Sequence, residues 1–365
     1  MLAKAALVKN GIERLHEEVV YFFAQIENTK RWSKRLFNQN FYDQVVKKNQ
    51  TLENLLKDFL KEFIALPAQR KVEIIQEFKD YNLVGELCNN TKITVTRYWQ
   101  DSAYLNFCRA TKVLFVFMFE ETLGRSTYKA FSGESIKDHY NAYRSAYNLS
   151  MCPFCGLEDY KDLHDELSLR DAYDHYLDKA RYPFAAVNPD NLFPMCHDCN
   201  SGAKKTADIL HKDKTSQRRL AAYPPDNEFH VSIKVDDALL LEPHITIDLI
   251  EPIDPHDLEK FETWLTVFKI RQRYEGRVKK KKKDWLTSVL ASIASELTEE
   301  ALKLRLKELH NQLLVSLEMR VQREDYLQAS FLSYCVDHAH SVISFVKNDP
   351  AYTSYLMKRS TTLNS

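Results

Sequence analysis

The residues of this 365-residue chain best able to do chemistry crowd into one stretch. Cys152-Pro-Phe-Cys155-Gly156 and Cys196-His-Asp-Cys199 form two Cys-x-x-Cys pairs with 40 residues between them. Two thiolates three residues apart can grip one tetrahedral Zn²⁺ from a single tight turn, and a second pair completes a four-cysteine set. Four reduced cysteines without metal are the plainer alternative. Two pairs with no surrounding βαβ pattern argue against a thioredoxin-like redox role. His197 lies inside the second pair and is expected to face solvent. Between the pairs stand Asp174-His175 and Asn191, and Asn200 follows Cys199 directly. Asp174 and Asn200 offer hard oxygen donors, which suit Mg²⁺ or Mn²⁺. His175 points the other way on an extended chain and is of the type that takes a proton from water near neutrality. One such base and one hard cation are the minimum for metal-assisted phosphodiester hydrolysis.

The order of these elements is Cys-Pro-x-Cys-Gly, then Asp-His-Tyr-Leu-Asp-Lys-x3-Pro, then Asn-Leu-x-Pro-x-Cys-x-x-Cys-Asn-x3-Lys. That order resembles the HNH endonucleases with a zinc-bound ββα-metal (His-Me finger) core. The resemblance covers about residues 150–206, under a fifth of the chain. It implies that His175 ends the first strand as general base. It also implies that Asp174 and Asn200 hold the catalytic divalent ion, with Asn200 at the start of the helix. By the same resemblance Asn191 braces the loop and orients His175, and Lys204 faces a phosphate; Lys179 and Lys205 are further candidate substrate-binding lysines. The chain departs from the family pattern twice: Asp178 stands where proline is usual, and Asn200 where histidine is common. A helical architecture around a small HNH module also resembles effector nucleases of bacterial anti-phage defence. Some of these work beside an ATPase, so a protein partner of that kind or further copies of the chain are expectations too.

Lys+Arg and Asp+Glu both number 51, so no bulk charge advertises a polyanionic partner. The neutrality hides segregation. Residues 157–178 carry eight acids against two bases; 204–219 carry six bases against two acids, and 269–283 nine bases against Glu275 alone. Such basic clusters supply the sequence-independent attraction for phosphates that a nuclease needs. The stretch at 204–219, directly after Asn200, is the favoured backbone-contacting surface, and Lys279–Lys283 reads equally well as a solvated charge run.

These residues need elements to position them. Only 7 glycines occur where average usage gives about 26, which argues for long helices over a turn-rich sandwich or barrel. Helical periodicity runs through Ile12, Leu15, Val19, Phe22, Phe23 and Ile26, and again through Leu52, Leu55, Leu56, Phe59 and Phe63 up to Pro67. Lys92–Thr96 reads as a strand, and Val113–Phe119 as a buried strand or helix. Phe229, Val231, Ile233 and Val235 alternate, as do Ile245, Ile247 and Leu249, which predicts a hairpin. Asp254-Pro255 predicts an N-cap with proline at the first helical position, ahead of a face of Phe261, Trp264, Leu265 and Phe268. Leu302, Leu306, Leu309, Leu313 and Leu317 form a stripe, read as core with a coiled-coil seam as the lesser alternative.

The expected architecture is therefore mainly α with a small α+β insert: a helical region over 1–148, the zinc-stapled HNH module over 149–228, and a hairpin followed by helices over 229–365. The longest apolar run has seven residues, far short of the roughly 20 that span a bilayer. With no signal peptide evident, the expectation is a cytoplasmic protein with no membrane partner. The expected function is a divalent-metal-dependent endonuclease acting on DNA, with RNA as an alternative backbone because nothing in the sequence excludes a 2′-OH. The alternative from another class is a non-catalytic, zinc-stapled module that binds nucleic acid or docks a partner.

Overall fold

The computed structural model describes residues 2–95, 102–161, 171–212, 215–239, 242–250, 254–293, 297–318, 325–350 and 352. Among these residues the fold is mainly helical with two small antiparallel sheets. The N-terminal part contains α1 (Ile12–Ile26), the short α2 (Gln39–Phe41), α3 (Gln50–Ala65), α4 (Ala68–Tyr81) and α5 (Val84–Asn89). It continues with α6 (Leu105–Phe117), α7 (Ser126–Ser132) and α8 (Ile136–Ala146). The caps explain several boundaries. Asn49 accepts a hydrogen bond from the Leu52 amide at the start of α3, and Ser135 with Asp138 forms a reciprocal capping box on α8. Pro67 stands between α3 and α4, as expected of a residue that ends one helix and opens the next.

Strands β1 (Tyr173–His175) and β2 (Leu192–Pro194) pair with Asp174 opposite Phe193 and His175 opposite Leu192. A helical turn, Asp198–Lys204, follows and closes with a wide-turn bond from the Lys205 amide to the Asn200 carbonyl at 2.8 Å. The expected hairpin exists as β3 (Val231–Asp236) and β4 (His244–Leu249). Helices α9 (Pro255–Val267), α10 (Ile270–Ala291), α11 (Glu299–Glu318), α12 (Asp325–Asp337) and α13 (Ala339–Asn348) complete the chain. Asp254 caps α9 and Pro255 opens it. Val113–Phe119 turns out helical, lying in α6 and the turn after it; Leu114 and Phe115 are buried while Val113 is about half exposed. Of the expected strand at Lys92–Thr96, the described part is turn and extended loop, and Thr96 lies outside the described residues. Leu302 and Leu306 are buried core, with Leu309 and Leu313 packed against it; the side chain of Leu317 lies outside the description.

One contiguous cluster of buried apolar side chains runs from α1 through the cysteine pairs to α13. Phe184, in the connection between β1 and β2, is its most useful link for the site. Its ring meets Phe23, Phe78 and Phe115 of the N-terminal helices at centroid distances of 5.3, 5.7 and 5.4 Å. These edge-on aromatic contacts add to the area buried and tie the β1–β2 connection to the helical layer. No helix among the described residues is long and apolar enough to cross a membrane.

Candidate functional site

The cysteine pairs meet. Cys152 Sγ lies 3.9 Å from Cys199 Sγ, Cys155 Sγ lies 3.8 Å from Cys196 Sγ, and all four sulfurs fall within 4.8 Å of one another. A tetrahedron with Zn–S bonds of about 2.3 Å has sulfur–sulfur edges of about 3.8 Å, so this spacing suits zinc. Burial pushes the Cys152 and Cys199 thiols well above their ordinary range. Burial acts the same way on Cys155, but hydrogen bonds from the other three cysteines and the Arg273 charge outweigh it and hold that thiol low. Four thiolates in such a place would repel one another; a divalent cation relieves that repulsion and so favours loss of the proton from all four thiols.

The first pair is made by its backbone and held from outside. The Gly156 amide bonds to the Cys152 carbonyl at 2.8 Å with Gly156 at φ +64°, where an added Cβ would lie 2.6 Å from Leu2 Cδ1. Tyr274 and Tyr326 donate to the Cys155 carbonyl at 2.9 and 3.0 Å, and the Trp264 indole donates to the Phe154 carbonyl at 2.8 Å. Arg273 reaches Cys199 Sγ at 3.2 Å, where its charge would offset that of a metal-bound thiolate. His197 faces solvent, as expected.

The second cluster gathers on β1. Asp174, His175, Asn191 and Lys204 are all buried, at 7, 6, 0 and 1 % exposure. His175 Nε2 lies 2.9 Å from the Ala186 carbonyl, which can only accept, so Nε2 carries the proton and Nδ1 of the neutral ring is the base. Phe119 packs edge-on against the ring with centroids 4.2 Å apart. Burial first, then the charges of Lys179 and Lys204, push His175 down to about 3, well below the near-neutral range expected of it from sequence. The ring is neutral throughout the physiological range but a weaker base than expected, because its site is dry and cationic.

Asn191 braces the connection around His175. Its Oδ1 accepts from the Leu177 amide at 2.6 Å, and its Nδ2 donates to the Leu177 and Ala185 carbonyls at 3.0 and 3.1 Å. Its own carbonyl accepts from the Tyr176 amide at 2.9 Å. Asp178 closes its turn by accepting from the Ala180 amide at 3.1 Å and pairing with Arg181 at 2.7 Å, a turn built by side-chain bonds without a proline.

Lys204 turns inward. Its Nζ lies 2.8 Å from Asp174 Oδ2 and donates to the His175 carbonyl at 2.9 Å. Burial raises the Asp174 carboxyl above its usual range and the Lys204 charge opposes that shift. Asn200 lies four residues before Lys204 on the same turn, which puts both on one face, and its side chain makes no hydrogen bond among the described residues. Asp174 offers a carboxylate engaged by Lys204, and Asn200 an amide oxygen without a hydrogen bond among the described residues; both are donor types that suit a hard cation such as Mg²⁺ or Mn²⁺. Lys179 pairs with Glu120 at 2.6 Å and sits 5.2 Å over the Phe119 ring. Lys205 is exposed, with a positive φ of 48°.

The basic clusters prove largely structural. Arg218 donates to the carbonyls of Leu210, Leu87 and Asn90, and Arg219 to those of Ile209 and Asp208. Lys282 is buried against the Ala238 carbonyl, Lys279 pairs with Glu242, and Lys283 pairs with Asp349 at 2.7 Å. Lys205 and Lys212 stay exposed without an ion-pair partner among the described residues. Lys214, together with the acids at 162, 165 and 166, lies outside the description. Phe119, the Ala186 carbonyl and the thiolate contact of Arg273 carry no motif signal, because each meets its partner only through the tertiary fold. A cavity of about 950 Å³ between β3, α11 and α12 holds none of the site residues expected from sequence.

No established family profile matches the chain, and no solved structure does. A curated protein, protein ea31 of Escherichia phage lambda, is 42% identical over 53 residues. That match covers 14% of this chain and 15% of the phage protein, far too little of either to assign a family.

Proposed function

We propose that this chain is a divalent-metal-dependent endonuclease of the HNH type that hydrolyses phosphodiester bonds, with DNA as the favoured substrate. One observation carries the reading: the buried His175 is held by Nε2 on the Ala186 carbonyl, which leaves Nδ1 of the neutral ring as the available base. His175 takes a proton from the attacking water, and Asn191 keeps the connection that presents it. The hydroxide formed attacks phosphorus, and the bond to the leaving oxygen breaks. Asp174 and Asn200 would hold Mg²⁺ or Mn²⁺, which would supply neutralisation of charge on the leaving oxygen. The four-cysteine site would hold structural zinc and set the position of the turn that carries Asn200.

A second reading draws support from the ion pair of Lys204 with Asp174, which leaves that carboxylate already neutralised. On this reading the chain is a zinc-stapled module that binds nucleic acid or a partner without catalysis. Supercoiled plasmid and single-stranded RNA incubated with Mg²⁺ or Mn²⁺, with His175→Ala alongside, separate the two. The nuclease reading expects cutting by wild type and loss of cutting with retained binding in the variant. Binding without cutting by both proteins favours the second reading.

A further inference from the structure

We propose that Lys204 is a built-in placeholder cation at Asp174, and that a divalent ion enters this site only by displacing its ammonium. The inference rests on the metal-dependent reading above. Lys204 is 1 % exposed and Asp174 7 %, so neither charge is spent on solvent. Lysine is almost never buried to this degree without a specific anionic partner. The Lys204 ammonium touches a carboxylate oxygen at 2.8 Å and a backbone carbonyl at 2.9 Å, the hard oxygen types that a divalent ion also seeks.

The two cations therefore compete for one carboxylate. An entering ion must repel or expel a positive charge already seated there, and in a site this dry that repulsion is screened little. Without the ion, the Lys204 ammonium sits against the Asp174 carboxylate and holds its strand in place; removing one member of a buried pair leaves the other uncompensated. Lys204 thus sets a threshold for metal entry.

The test is Mn²⁺ binding to the zinc-loaded full chain, followed by electron paramagnetic resonance of free Mn²⁺ and by calorimetry, with no substrate present. Wild type, Lys204→Met, Asp174→Asn and the double variant are compared. Lys204→Met should bind Mn²⁺ on the order of ten-fold to a hundred-fold more tightly than wild type, and Asp174→Asn in the same background should abolish the gain. Equal or weaker binding by Lys204→Met overturns the proposal, as does a gain that survives Asp174→Asn. If Lys204→Met folds poorly because Asp174 is left uncompensated, the folded double variant keeps the test open. Rescue of the single variant by Mn²⁺ during refolding then supports the idea, and absence of rescue refutes it. The outcome is separable from the nuclease reading: tightened Mn²⁺ binding in proteins that cut neither plasmid nor RNA keeps the placeholder and removes the nuclease. Cutting by wild type with no tightening in Lys204→Met does the reverse.

Discussion

Replacing Asn191 by alanine should be among the most damaging single changes outside the cysteine site, and its cost can be worked from its bonds. The side chain is 0 % exposed and serves three backbone groups. The Ala185 carbonyl keeps a second donor, the Asn188 amide at 3.2 Å, so its loss is small. The amide and carbonyl of Leu177 have no such substitute among the described residues, and Leu177 itself is buried. At about 1–3 kcal/mol for each buried group left unsatisfied, Asn191→Ala should cost about 2–6 kcal/mol. Asn191→Asp separates hydrogen-bond logic from size. Its carboxylate can still accept from the Leu177 amide, but it lacks the two N–H donors and sets negative charge against two carbonyl oxygens. It should therefore rescue little. Equilibrium urea unfolding of the three proteins, with an unchanged m-value as the check on two-state behaviour, gives the numbers. A loss under about 1 kcal/mol for Asn191→Ala, or near-wild-type stability for Asn191→Asp, would refute the bracing role.

Three further outcomes are expected. Elemental analysis of protein purified without added metal should find close to one zinc per chain; Cys199→Ser should lose it, and strong chelators should unfold the wild type, because metal binding at such sites is folding free energy. Acid should destabilise the protein through two histidines. Burial, followed by nearby lysine charge, pushes His175 down to about 3 and His16 to about 4, both below the ordinary 6.5. The unfolded chain then binds more protons, so stability rises with pH across that window and is lost as pH falls from about 6.5. Between about pH 6.5 and 5 each histidine should remove about 2 kcal/mol, and urea midpoints that are flat across this range in wild type would count against it. Finally, charge reversal at Lys205 and Lys212 together should weaken DNA binding and reduce the salt slope by about 2, while reversal at Lys279 and Lys283, which Glu242 and Asp349 already neutralise, should change it little; fluorescence anisotropy over a salt series reads both.

What the sequence displayed well was local. The 3.6-residue period marked α1 and α3, the period of two marked β3 and β4, and the spacing of the cysteines announced their meeting. It displayed partners poorly. Val113–Phe119 is an apolar run that suits either strand or helix, and only the 13 residues of α6 around it decide for helix. The charge clusters were harder to read for a deeper reason. A run of lysines and arginines shows how much charge is present, but whether it remains free depends on contacts distant in the chain. Arg218 finds Leu87 and Asn90, which lie more than 120 residues away, and Lys204 finds Asp174, 30 residues earlier in the chain. The most basic stretch after Asn200 is thereby spent mainly on holding the fold.

The same long-range contacts make the cysteine site and the β1 cluster one mechanical unit. Cys199 and Asn200 are consecutive, and the Asn200 amide bonds to the Cys196 carbonyl at 3.0 Å. The turn that begins at the second cysteine pair therefore cannot shift without moving Asn200 and, four residues on, Lys204. Lys204 in turn holds the Asp174 carboxylate and the His175 carbonyl. On its other side β1 is fixed through Ala186, whose near neighbour Phe184 is locked into the aromatic packing of α1, α4 and α6. The proposed catalytic role needs its groups held within about half an ångström, which a three-residue strand cannot do alone. The cysteine pairs hold the cluster from one side and the helical layer from the other, so a pair of strands this short can be kept in place.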